Sequence, residues 1–164
     1  GTAYDVAVAG GYAYVADYTS GLTVVDISDP ANPRSGQSLD VGGTAAGVTV
    51  SGTCAYVATW EVGLVSVDIS DPENPSILDA GCGTTTDLAN DACVAGGYAF
   101  FVYDMDPAFG LAIADATDPA VLGSPVYLTL PGGEHNKITV VGRYALVADG
   151  NAGLTVIELW NGNE

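Results

Sequence analysis

One residue pattern occurs four times along the chain. Gly11–Asp17 reads Gly-Tyr-Ala-Tyr-Val-Ala-Asp and is followed by Gly-Leu-Thr-Val-Val-Asp-Ile-Ser-Asp-Pro over Gly21–Pro30. The pattern returns at Thr53–Ala58 with Gly63–Pro72, at Gly97–Val102 with Gly110–Asp115, and at Arg143–Asp149 with Gly153–Glu158. The Gly-Leu pair stands at 21, 63, 110 and 153, a period of 42, 47 and then 43 residues. Such a period belongs to repeat architectures, in which each unit buries its apolar face only against its neighbours.

Within each unit the apolar runs are strand-sized and separated by turn formers. Asp5 to Ala9 reads as a first strand, Gly10-Gly11 as a tight turn, Tyr12 to Ala16 as a second strand and Leu22 to Ile27 as a third. Asp29-Pro30-Ala31-Asn32-Pro33 and its counterpart Asp71-Pro72-Glu73-Asn74-Pro75 form a turn, because proline cannot donate to a ladder. A weaker fourth strand follows, around Gln37 to Val41 and Ser76 to Ala80. The second and third strands are nearly continuous in apolar residues, so both faces are expected to be covered. The turns are too short for the helical crossovers of a parallel sheet. An all-β propeller satisfies both conditions: four-stranded antiparallel blades at approximately 1–44, 45–87, 88–133 and 134–164, the last one incomplete, in a single domain over 1–164. Tyr56, Val57, Leu64 and Val67 are the predicted interblade core.

The run Tyr-Ala-Tyr-Val-Ala-Asp with Gly-Leu-x-Val-Val-Asp-Ile-Ser-Asp-Pro-x-Asn-Pro resembles the LVIVD repeat, strongest in the first two copies. The resemblance implies a β-propeller and a setting at the cell surface or outside the cytoplasm, with no shared activity. Copies in that family often carry a His just before the first strand, where this chain has Tyr4, Ala46, Asn90 and Asn136. The third copy has drifted: Asp118-Pro119 is kept, the following Asn-Pro is lost, and Asp104–Phe109 lengthens a turn.

Twenty acidic residues against three basic ones (Arg34, Lys137, Arg143) give a net charge of -17. That charge repels phosphate backbones and argues against a nucleic-acid partner. No apolar stretch approaches the roughly 18 residues of a membrane helix, so no membrane insertion is predicted. Cys82 and Cys93 flank the lengthened junction after the second copy and are expected to form a disulfide, with Cys54 buried at a strand start. This pairing and the near-absence of lysine predict an extracellular, cell-surface or periplasmic location.

Familiar catalytic signatures are missing. One histidine, His135, excludes two-histidine zinc motifs, and neither a nucleophile elbow nor a phosphate-binding glycine loop occurs. Asp26, Asp68, Asp115 and Glu158 recur in register, which predicts a structural task such as accepting hydrogen bonds from a turn. Two groups are candidate sites. Tyr18, Trp60, Tyr103 and Phe109 fall in equivalent turns and are expected to share one rim, where they could stack on sugars or a protein. Asp104 with Asp106, and Asp149 with Asn151, space oxygen donors as calcium loops do. The reading is therefore a non-enzymatic scaffold for protein or glycan contacts. A hydrolase or lyase using channel carboxylates and a calcium-dependent adhesive module are the alternatives. The abrupt start within a repeat leads us to expect an open four-blade arc, completed by a second copy or further repeats, over a small ring closed by side-chain packing.

Overall fold

A computed structural model describes residues 1–83, 88–105, 108–131 and 135–159. They form four antiparallel sheets in chain order, each a simple meander. The first contains β1 (Asp5–Ala9), β2 (Tyr12–Ala16), β3 (Leu22–Asp26) and β4 (Arg34–Leu39). The second contains β5 (Ala45–Ser51), β6 (Cys54–Thr59), β7 (Gly63–Asp68) and β8 (Ser76–Cys82), and the third β9 (Leu88–Ala95), β10 (Tyr98–Met105), β11 (Ala108–Asp115) and β12 (Val126–Thr129). The fourth has three strands among the described residues: β13 (His135–Val141), β14 (Tyr144–Asp149) and β15 (Gly153–Glu158).

Each sheet begins with a two-residue hairpin, as the register Ala9↔Tyr12 shows in the first. Gly10 and Gly11 take φ of 57° and 82°, the left-handed conformation that this turn demands at both positions. The strand edges differ from expectation by a residue or two at β3, which ends at Asp26, and at β8, which runs on to Cys82, and most at β4, which spans Arg34–Leu39. β4 starts at Arg34 rather than near Gln37, because only Pro33 lacks a donor and Arg34 pairs at once with Asp26.

The segment after the third strand is a run of aspartate-capped turns. Asp26 Oδ1 accepts the Ser28 N–H at 2.8 Å, Asp68 that of Ser70 at 2.8 Å and Asp115 that of Thr117 at 2.9 Å. Bonds from Ser28 hold the Asp26 carboxyl below its ordinary range, and those from Ser70 do the same for Asp68. Asp29 and Asp71 then cap the next turn through Ala31 and Glu73 and take the amides of Asn32 and Asn74. The recurrent acids of the first three copies thus shape the chain reversal. Glu158 instead meets Arg143 at 3.3 Å.

Side chains alternate between two apolar faces in each blade. Val57, Val65 and Val67 point into a cluster with Tyr14, Leu22 and Val24 of the first sheet. Tyr56, Ala58 and Leu64 point the other way, into a cluster with Ala99, Phe101 and Ala112 of the third. All six residues of β6 are consequently buried, which explains its unbroken apolar sequence. A third cluster joins Phe100, Val102 and Leu111 to Ile138, Ala145 and Val147 of the fourth sheet. Among the described residues the four blades are therefore joined by three apolar interfaces, and none joins the fourth blade to the first.

The Gly-Leu pair follows from blade geometry. A Cβ on Gly21 would lie 2.1 Å from the Leu39 carbonyl oxygen, one on Gly63 2.4 Å from that of Cys82, and one on Gly110 2.0 Å from that of Leu128. The fourth strand passes too close for any side chain. Gly153, at φ 84°, has no atom within 4 Å of that position, because nothing among the described residues flanks β15 there. Gly63→Ala should destabilise by several kcal/mol through backbone collision, whereas Gly153→Ala should cost only about 1 kcal/mol of left-handed strain. Denaturant unfolding of both variants checks this; equal losses would show that close approach of the fourth strand is not the cause.

Candidate functional site

β1, β5, β9 and β13 are the inner strands, each packed against the next. Their first residues converge with the β2–β3 and β6–β7 turns at one mouth of the array. One repeat position there carries Asp5, Gly47, Asp91 and Lys137. Asp5 Oδ2 accepts the N–H of Val48 at 3.1 Å and Asp91 Oδ2 that of Ile138 at 2.8 Å, so each acid ties its blade to the one that follows. Lys137 Nζ lies 2.9 Å from Asp5 and 3.3 Å from Asp91, linking the fourth blade to the first and third. Gly47 is required because a Cβ would stand 2.8 Å from both the Asn90 carbonyl oxygen and the Asp91 Cα.

Burial raises the Asp91 carboxyl above its ordinary value, and the Ile138 N–H and Lys137 only partly offset it. Burial also works against the charge on Lys137, but the hydrogen bond it donates to Asp5 and the two neighbouring carboxylates outweigh it, and its pKa is raised. Both acids are engaged by backbone donors and the ammonium group.

Beside this cluster lies a trio of aromatic rings. Tyr4 stacks on Tyr18 at 5.6 Å, and both meet Trp60 edge to face at 5.6 and 5.7 Å. Tyr18 has φ 50°, rare for a residue with a side chain, and its carbonyl is fixed by the Ala45 N–H at 3.0 Å. Trp60 Nε1 donates to Asn90 Oδ1 at 3.1 Å, and Asn90 Nδ2 donates to Asp104 Oδ2 at 2.7 Å. The Thr44 hydroxyl donates to Glu61 at 2.8 Å on the same turn as Trp60.

Of the four aromatics expected on a rim, the fold brings Tyr18 and Trp60 together. Tyr103 is buried and meets Tyr127 of its own blade edge to face at 5.2 Å, and Phe109 is half-buried on β11 opposite Asp104. Tyr4 completes the trio. The available signal was its repeat position, shared with Asn90, which the register carries to the same mouth.

The described calcium donors have other engagements or face solvent. Asp106 lies outside the described residues, Asp104 serves Asn90, Asp149 is buried with Oδ2 accepting the Thr155 hydroxyl at 3.0 Å, and Asn151 is exposed in the short 3-10 turn Gly150–Ala152. Among the described residues no three His, Cys, Asp or Glu side chains converge as a metal site.

The expected Cys82–Cys93 disulfide is not formed. Cys82 ends β8 in the cluster between the second and third blades, whereas Cys93 packs in the one between the third and fourth. The third sheet stands between the two sulfurs. Cys54 is buried as expected.

These features define an open array of propeller blades. The LVIVD repeat model matches residues 1–40, 42–79 and 132–161, more than half of the chain, and the protein belongs to that repeat family. The unmatched stretch contains the drifted third blade. No curated protein matches the chain. Among solved structures it is similar to a candidate 6-phosphogluconolactonase from Bacteroides uniformis, with 17% identity, 95% of this chain and 50% of that one covered, and a TM-score of 0.77. The computationally designed protein Ika8 is similar over 99% of this chain and 47% of its own, at 9% identity and TM-score 0.67. For the designed protein Ika4 the figures are 96%, 91%, 8% and 0.64. These likenesses show the fold alone, and the chain spans about half the length of the first two.

Burial, followed by the Asp91 charge, pushes the Cys93 thiol up to about 12. Iodoacetamide at pH 8 should therefore leave Cys93 unmodified in the native protein and label all three cysteines after unfolding without reductant. Mass spectrometry of the digested protein reads both results; native labelling of Cys93, or a Cys82–Cys93 peptide, would contradict this placement.

Proposed function

We propose that the protein is a non-enzymatic, extracytoplasmic scaffold whose mouth binds a neutral glycan. The observation that carries this reading is the Tyr4–Tyr18–Trp60 trio set beside the amide of Asn90 and the carboxylate of Asp104. Aromatic faces and edges stack on the apolar face of a sugar ring, and amide and carboxylate oxygens accept its hydroxyls. A net charge of -17 disfavours acidic sugars, which is why a neutral one is named. The same trio would also accept an uncharged peptide segment. The location rests on the acidic, lysine-poor surface and the family's usual setting, since the disulfide no longer supports it.

The channel carboxylates give the hydrolase or lyase alternative little support. Asp5 and Asp91 are both bound to backbone N–H groups and to Lys137, so neither is left poised to attack or to protonate a substrate.

A glycan array followed by calorimetry tests the proposal. Trp60→Ala should weaken binding of a neutral oligosaccharide at least tenfold while the far-ultraviolet spectrum of the protein stays that of the parent. The measurement is repeated with calcium and with a chelator, and a loss of binding on chelation would favour the adhesive-module reading. Binding that survives Trp60→Ala unchanged would remove the mouth from the account.

A further inference from the structure

The two outermost faces of the array are apolar, and nothing among the described residues covers them. On the first blade Val6 and Val8 are 56% and 64% exposed; on the fourth, Leu154 and Val156 are 65% and 55% exposed. Their places in the repeat relate them. Val6 corresponds to Val48, Ala92 and Ile138, each buried on the face that receives the preceding blade. Leu154 corresponds to Leu22, Leu64 and Leu111, each fully buried on the face that meets the following blade. The uncovered face of the fourth blade is thus the forward half of the junction used three times within the chain. The uncovered face of the first blade is the receiving half.

We propose that two copies of this chain join head to tail, the fourth blade of each seated on the first blade of the other. Because the two halves differ, the contact is heterologous, and a half-turn closes it into a two-chain ring with both junctions made. Three facts favour a second copy. The chain matches 47% of Ika8 and 50% of the Bacteroides protein, so a second copy would supply the remaining length of arrays of that size, while Ika4 is matched over 91% of its own length. Strands about 4.8 Å apart and about 17 Å long give roughly 330 Å² for the four-stranded face of the first blade and roughly 240 Å² for the three described strands of the fourth. Two of each covered at once come to about 1,100 Å², above the roughly 1,000 Å² that a specific interface should clear. A chain left alone would expose both patches to water, which soluble monomers rarely do.

Multi-angle light scattering on the 164-residue chain at micromolar concentration decides the matter. The expected mass is twice 16.5 kDa, with the dimer fraction rising with salt as repulsion between the acidic copies is screened. Leu154→Asp and Val8→Asp, each placed on a face exposed in the single chain, should separately shift the mass to 16.5 kDa while the far-ultraviolet spectrum stays that of the parent. A monomeric parent would leave the faces to further repeats of one polypeptide and overturn the proposal, as would an open ladder of multiples. A dimer that persists in both variants would place the contact on another surface and overturn it equally.

Discussion

Packing of one sheet face on the next holds this molecule together. Each blade is too thin to enclose a core of its own, and a pair of strands isolated in water is at most marginally stable. Residues such as Tyr56 and Val57, adjacent in sequence, therefore belong to different cores, one shared with the third blade and the other with the first. The order of the blades, the covered faces of the central ones and the bare faces at the two ends all follow from that alternation.

The axis adds a polar layer to the apolar one. At one repeat position the chain places Asp, Gly, Asp and Lys, and these four differ because their neighbours differ. The two acids reach backbone donors of the next blade, the glycine makes room for Asp91, and the lysine returns from the last blade to the first. The lysine spans the gap at the inner strands, although no apolar cluster joins the fourth blade to the first among the described residues. The mouth therefore has a fixed shape even in an open arc, and the aromatic trio sits on that fixed base.

The blades were legible in the sequence because hairpin glycines, the Gly-Leu pair and the Asp-Pro turns recur in register. Each marks a backbone requirement: a left-handed turn, a close fourth strand or an aspartate-capped reversal. The burial of Leu64 and Val67 was legible for the same reason. The mouth was less so. Tyr103 occupies a turn-proximal position in the repeat, yet it lies within the longer β10 strand and its ring meets Tyr127. Tyr4 was read only as the place of a missing histidine, because its partners lie 14 and 56 residues away and meet it only through blade stacking. The two cysteines looked close along the chain, but their side chains leave toward opposite sides of the third sheet.

The alternating-face account makes its sharpest statement about neighbours in sequence that share no core. A double-mutant cycle on Leu64 and Phe101, which pack in one cluster across two blades, should give a coupling of about 0.5 to 3 kcal/mol in denaturant unfolding. The matched cycle on Leu64 and Val65, adjacent residues in different clusters, should give a coupling near zero. Strong coupling between Leu64 and Val65 with none between Leu64 and Phe101 would contradict the account.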